Sequence, residues 1–272
     1  MTLPNLPLNI VVPMAGLGSR FQRAGYKEPK PLIDVCGRPM YAWAVDSLPL
    51  DAAGRLIFIL LSSQPRFAQL RDDILIRYAK SNPIVLEVSA LTAGQAVTVL
   101  RAQEFIDNAE PLLIHNSDTA FTIFPSWVRQ AWQSECDGAL LVFQSEEACL
   151  SYSREREDGW VAEVREKKAI SPWASTGTYW FRHGSDFVRI AEDAVKSDQR
   201  EAAEFYIGPL YNDLIASGGR VKNFRVEYFY CFGTPEDYAT TMKDLNFLEH
   251  VRATRAVEFR ASSGHSPQFR SC

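Results

Sequence analysis

Between Val11 and Leu32 the chain gathers small residues and cations in the way a polyphosphate site requires. The stretch reads Val11-Val-Pro-Met-Ala-Gly-Leu-Gly-Ser-Arg20 and then Lys27-Glu-Pro-Lys-Pro-Leu32. A small-residue loop leaving a strand lets backbone N–H groups approach an anion without side-chain obstruction. Arg20, Arg23, Lys27 and Lys30 follow within eleven residues, four cations suited to a triphosphate. Two phosphate motifs are excluded. After Gly16 there is no lysine at the P-loop spacing, and Phe21 stands where the dinucleotide fingerprint needs its third glycine. By itself the stretch also reads as a solvated basic loop.

Other residues divide in the same way between chemistry and ordinary structure. Asp118 follows Leu112-Leu-Ile-His-Asn, and carboxylates at the C-terminal ends of parallel strands line the ligand cleft of α/β sheets. A turn or N-cap aspartate is the plain alternative. His115 reads as a satisfied strand residue, because no second His lies at metal-ligand spacing. Gln95 fits an exposed helix position. Glu166 and Lys167, between Arg165 and Lys168, fit a solvated charge cluster, and Trp173 and Trp180 could stack on a ring or fill core. The five cysteines are widely and irregularly spaced with no C-x-x-C pair, so neither a zinc site nor a redox dithiol is expected. Reduced, mostly buried thiols are expected instead.

The elements that must position these groups alternate through the first half. Apolar runs at Leu8–Pro13, Leu56–Leu61, Ile84–Val88, Pro111–His115 and Ala139–Phe143 read as buried strands. Helical stretches fall between them, at Tyr41–Leu48, Pro65–Lys80, Gln95–Phe105 and Trp127–Glu135. Continuous apolar strands separated by helices predict an α/β fold with a mainly parallel sheet covered on both faces. The second half is less regular. Strands are expected at Trp160–Val164 and Thr178–Phe181, helices at Asp186–Lys196, Phe205–Ala216 and Pro235–His250, the last opened by Thr234 as N-cap. A single domain over residues 1–251 is expected, in two parts at about 8–145 and about 146–251, the second a substrate-binding extension. Residues 252–272 show little apolar pattern and read as a flexible tail.

The 272 residues are 46% hydrophobic and 23% charged, with a net charge of −4. That composition is ordinary for a globular protein, and the charge gives no support to nucleic-acid binding. No apolar run approaches a membrane span, and Met1–Asn9 lacks the basic start and apolar core of a secretory signal. The expectation is a cytoplasmic protein with no membrane or nucleic-acid partner; a homo-oligomer is left open.

With Lys30-Pro-Leu32 in place, the motifs in order resemble one family, the sugar-phosphate nucleotidyltransferases, also called nucleotide-sugar pyrophosphorylases. The matching segments are Ala15-Gly-x-Gly-x-Arg20 with the Lys-Pro-Leu segment, Thr92-Ala-Gly-Gln-Ala96, His115-Asn-Ser-Asp118, Tyr152-Ser153 with Asp158-Gly-Trp-Val161, Arg165-Glu-Lys167 with Ser175-Thr-Gly177, and Phe232-Gly-Thr-Pro-Glu-Asp237. Together they span most of the chain, from Ile10 to about Tyr238.

The resemblance implies a Rossmann-like, GT-A-like α/β fold with a smaller substrate-binding extension. It implies transfer of a nucleotidyl group from a nucleoside triphosphate to a sugar 1-phosphate, with release of pyrophosphate. It assigns Met14, Ala15, Gly16, Gly18, Gln95 and Ser117 to the nucleotide, and Arg20, Lys30 and Asp118 to the reacting phosphates. Tyr152, Glu166, Lys167 and Gly177 fall to the acceptor, and Asp118 to Mg²⁺. In the family position the Gln95 amide would face a pyrimidine. Two departures stand out. Ser153 replaces the usual Gly after the Tyr and is expected to narrow the acceptor pocket. Cys231 replaces the usual second metal-binding Asp, and Glu227, on the same strand face, could supply an oxygen instead. Three other readings stay open: a glycosyltransferase, for which the chain lacks the usual Asp-x-Asp; a cytidylyltransferase acting on a non-sugar phosphorylated acceptor; and a catalytically weak sensing subunit.

Overall fold

A computed structural model describes residues 7–201 and 203–262. Its centre is a nine-stranded sheet. The first strand, Leu8–Met14, lies between Ala53–Leu61 and Leu112–His115, parallel to both, and Ile84–Val88 extends the parallel part beyond Ala53–Leu61. Alternate residues of the central strands enter different cores. Ile10, Val12, Leu56, Phe58 and Leu60 pack with Tyr41, Val45, Leu70, Ile74 and Trp127 on one face. Val11, Ile57, Ile59 and Leu61 pack with Val99, Phe187, Ile190, Tyr211 and Leu214 on the other. Both faces are covered, which is why these strands read as unbroken apolar runs. The fold class expected from the sequence is borne out.

The second half departs from the parallel plan. Trp173–Phe181 runs antiparallel to Gly138–Gln144 along one edge, and on the other edge to Leu112–His115 at its C-terminal end and to Ser151–Glu155 at its N-terminal end. Ser151–Glu155 then pairs antiparallel with Val161–Glu166. This turned-over half carries the residues expected to meet the acceptor.

Three expected helices differ. The one expected at Phe205–Ala216 starts only at Leu210, and the one at Gln95–Phe105 is Gln95–Val99, a 3-10 turn and Gln103–Ile106. The stretch from Pro235 forms two helices, Pro235–Thr241 and Leu245–Ser262, instead of one ending at His250. Residues 252–262 are therefore helical and not a tail; residues 263–272 lie outside the described residues. The reason is packing beyond the local pattern. Phe247 and Val251 are buried against Trp43, Tyr230 and Phe232, and Arg255 donates to the Cys36 carbonyl at 2.5 Å. Among the described residues no helix is long and apolar enough to cross a membrane.

Candidate active site

The glycine loop leaves the first strand at the C-terminal edge of the parallel strands, where such sheets bind ligands. Its two glycines have different reasons to be glycine. Gly18 has φ +61°, and a Cβ there would stand 2.8 Å from the Lys30 Cβ. A side chain would therefore push Lys30 out of place. A Cβ on Gly16 would meet nothing within 4 Å, and its φ is ordinary. The fold has no need of a glycine there, and the bare backbone borders open space.

Lys30 opens a short 3-10 turn, Lys30–Leu32, between Pro29 and Pro31. Its Nζ donates to Asp118 Oδ2 at 2.5 Å and to the Gly233 carbonyl at 2.8 Å. It also lies 5.4 Å from the centre of the Phe21 ring. One ammonium thus ties together the loop after the first strand, the end of the Leu112–His115 strand and the segment after Cys231. Burial pushes the Asp118 carboxyl up, but the adjacent Lys30 charge and hydrogen bond outweigh it and hold the group below the usual carboxylate range. Arg20 stands exposed in the helix Ser19–Arg23, where it is available to a ligand.

A small second sheet brings the last segment to Asp118. Tyr228–Cys231 pairs antiparallel with Thr119–Thr122, setting Cys231 opposite Thr119. The Phe232 N–H donates to the Asp118 carbonyl at 2.8 Å. Burial, with Asp118 and Asp237 nearby, pushes the Cys231 thiol up, so it remains neutral at ordinary pH. Glu227 does not join this group. It precedes the strand, four residues or about 13 Å along extended chain from Cys231. Besides Asp118, the thiol has Asp237 as an acidic neighbour, to which sequence reading gave no site role. Its carboxylate accepts from the Thr234 N–H at 3.0 Å and completes a capping box with Thr234. The sequence signal for it was the same N-cap pattern that marked the helix.

Beside the glycine loop is a cleft of about 430 Å³, within the usual size of a small-ligand pocket. It is lined by Ala15, Gly16, Thr92, Gly94, Gln95 and Glu204, among others. Met14 is buried beneath the loop, and Ser117 lies between Asn116 and Asp118 at the strand end. Gln95 opens the helix Gln95–Val99, and its Nε2 donates to Asn116 Oδ1 at 2.5 Å. Asn116 was not singled out from sequence, yet it joins two expected residues. Its N–H donates to the Gly177 carbonyl at 3.1 Å. A Cβ on Gly177 would stand 2.1 Å from Asn116 Nδ2, and Gly177 has φ +80°. The glycine therefore makes room for the residue that holds Gln95. Gly177→Ala is expected to cost ~1–3 kcal/mol of stability from the combined clash and backbone strain. Chemical denaturation checks this, and an unchanged midpoint would show that the Asn116 side chain can move aside freely.

His115 is a core residue, as the sequence suggested. Its ring nitrogens lie 2.8 Å from Thr178 Oγ1 and 2.8 Å from the Thr119 carbonyl. Burial pulls its pKa down to about 4 despite the Thr119 bond and the nearby Asp118, so it is neutral at ordinary pH.

The acceptor-side residues are less tightly gathered. Glu166 and Lys167 follow one another at the end of the strand Val161–Glu166, with Lys167 at φ +53°. Lys167 Nζ donates to the Tyr206 hydroxyl at 2.7 Å. Burial and the neighbouring Glu201 and Glu204 charges push the Glu166 carboxyl up, against the opposing effects of Ser151 and Lys167. Tyr152 is buried, its hydroxyl donating to the Glu147 carbonyl at 2.8 Å, so it supports this region from within the core. Ser153 is also buried, and its hydroxyl donates to Asn223 Oδ1 at 2.9 Å. It joins two strands and does not narrow a pocket, contrary to expectation. Trp180 fills core, while Trp173 lies beneath the Arg225 guanidinium.

No protein-family model and no curated protein matches the chain. Solved structures do. A nucleoside-diphosphate-sugar pyrophosphorylase from Vibrio cholerae is 27% identical, with a TM-score of 0.73 over 86% of this chain and all of its own. An inositol-1-phosphate CTP transferase from T. maritima is 15% identical, with a TM-score of 0.68 over 88% of this chain and 98% of its own. A UDP-glucose pyrophosphorylase crystallised with UDP-glucose is 17% identical, with a TM-score of 0.69 over 87% and 97%. The last two likenesses speak to the fold alone.

Proposed function

We propose that this chain, whose resemblance to the sugar-phosphate nucleotidyltransferases its structural neighbours bear out, joins a nucleoside triphosphate, a pyrimidine one by preference, to a sugar 1-phosphate. A phosphate oxygen of the acceptor bonds to the α-phosphorus, the bond to the β-phosphate bridging oxygen breaks, and pyrophosphate leaves. The acceptor phosphate is already ionised at neutral pH, so no general base is needed. The work left to the protein is alignment and charge neutralisation. The product would be an activated sugar for surface-polysaccharide assembly, made in the cytoplasm.

The observation that carries this reading is the position of Lys30, held by Asp118 and the Gly233 carbonyl where three segments meet. A compact ammonium there can follow negative charge as it redistributes between two phosphates. Gly16 and Gly18 admit the triphosphate, Arg20 meets its outer phosphates, and Glu166 and Lys167 receive the acceptor.

Mg²⁺ fits this site through one carboxylate. Among the described residues no three His, Cys, Asp or Glu side chains converge on a metal position. Cys231 is a neutral thiol, a poor ligand for a hard cation, and Asp237 is engaged in its capping box. Mg²⁺ is commonly bound by one or two carboxylates together with substrate phosphates. Asp118 would hold it, and the ion would supply charge neutralisation on the phosphates when bound.

The test is pyrophosphate release with ATP, GTP, CTP, UTP and dTTP, each against a panel of phosphorylated acceptors. Release is expected with a pyrimidine triphosphate and a sugar 1-phosphate. Release only with a non-sugar acceptor would move the assignment to a different transferase. Silence with every pair would favour a nucleotide-sensing subunit.

A further inference from the structure

A lysine ammonium has three N–H donors, and in Lys30 the bonds to Asp118 and to the Gly233 carbonyl engage two of them. A further contact is of a different kind. The Phe21 ring lies beneath the ammonium, its centre 5.4 Å from Nζ, inside the ~6 Å over which a ring face attracts a cation. Such a face holds a positive charge without occupying an N–H and without bringing a formal negative charge.

The ring is held in one plane by its surroundings. Phe21 is 1% exposed and belongs to the helix Ser19–Arg23, which also carries Arg20. Its N–H donates to the Gly18 carbonyl at 3.0 Å, and its carbonyl accepts from the Tyr26 N–H at 3.1 Å. Tyr26 and Tyr238 meet the ring edge-to-face, with centres 5.0 and 6.5 Å away, and meet each other at 6.2 Å. Tyr238 is tied in turn, its hydroxyl donating to the Asp34 carbonyl at 2.9 Å. Gly18 thus borders the near end of the Lys30 side chain, at Cβ, and Phe21 borders the far end, at the charge.

We propose that Phe21 is a positioning residue for Lys30, its ring face keeping the ammonium aimed when phosphates draw it from Asp118. This rests on the transferase reading above. There Asp118 turns to the ion and Lys30 to the phosphates, so the two hydrogen bonds seen here are the contacts that give way. A carboxylate or carbonyl in place of the ring would compete with the phosphates for N–H groups, and a ring face does not. Packing by itself asks only for a buried apolar side chain at this position. The electrostatic role asks for an aromatic one.

The test replaces Phe21 in the full chain by mono-, di- and trifluorinated phenylalanine, which weaken the negative ring face stepwise at nearly constant shape. Along the series kcat is expected to fall progressively, by ~5–10-fold at the trifluorinated ring, with KM for the triphosphate changed by less than ~2-fold. The thermal midpoint should hold, since the volume is kept. In Lys30→Met protein the same series should leave the residual kcat flat, because the cation is gone. No trend in the native background, or an equal trend in Lys30→Met, would overturn the inference and leave Phe21 as packing, with the transferase reading intact. If no triphosphate and acceptor pair turns over, the transferase reading fails, and calorimetric binding of the triphosphate decides the role of the ring. Affinity that falls along the series in native protein but not in Lys30→Met sustains it; a flat series, or no binding of any triphosphate, overturns it.

Discussion

With Lys30 replaced by Met, turnover is expected to fall by at least ~100-fold, equivalent to about 2.7 kcal/mol of transition-state stabilisation. The ammonium donates to Asp118 and to the Gly233 carbonyl, so it is placed by two groups from distant segments before any ligand arrives. Met fills a similar volume, keeps the Cβ that packs beside Gly18, and removes only the charge and its hydrogen bonds. Nothing in the two main cores depends on the Lys30 side chain, so the cooperative unfolding transition should persist. Steady-state kinetics and a thermal melt on the same preparation check both halves of the expectation. An unchanged rate in folded Lys30→Met protein would remove Lys30 from the mechanism.

Asp118→Asn is expected to abolish activity at ordinary Mg²⁺ concentrations. On the proposed reading Asp118 is the carboxylate that would hold the ion, since Asp237 caps a helix and Glu227 precedes the strand that carries Cys231. A site with one carboxylate binds Mg²⁺ less tightly than a site with two, so native activity should require millimolar rather than micromolar Mg²⁺. Cys231→Asp tests the cause directly. Asp237 Oδ2, the Cys231 sulfur and Asp118 Oδ2 lie 3.3, 3.3 and 4.0 Å from the position a Cβ on Gly233 would take, and the Asp118 charge acts on the Cys231 thiol, so a carboxylate at 231 would stand near that of Asp118. Its introduction should lower the Mg²⁺ concentration for half-maximal activity. Titration of activity against Mg²⁺ in the three proteins decides the matter. Saturation of the native enzyme at micromolar Mg²⁺, or a Cys231→Asp protein with no gain, would sink this account of the metal site.

Local sequence determined the parallel half of the sheet and the chemistry of its loop. Ile10, Val12, Leu56, Phe58 and Leu60 alternate with Val11, Ile57 and Ile59, and every one is apolar. Such a run can only be a strand buried on both faces or a buried helix, and its short length chose the strand. The glycines, Lys30 and Asp118 could be singled out because their segments, taken in order, resemble one family; by residue type alone the loop also read as a solvated basic loop and Asp118 as a turn or N-cap residue.

Tertiary structure decided what depends on contacts across the chain. Ser153 is hydrogen-bonded to Asn223, 70 residues away, and no local pattern shows whether a serine faces a pocket or a neighbouring strand. Asn116 gained its role from Gln95 on one side and Gly177 on the other. Glu204 entered the cleft because Phe205 pairs with Ala93 and Ala96. The helix Leu245–Ser262 runs past residue 251 because Arg255 reaches the Cys36 carbonyl. Periodicity and propensity report only the first few neighbours along the chain. These four placements are made by hydrogen bonds between segments tens to hundreds of residues apart, and they exist only once the sheet has brought those segments together.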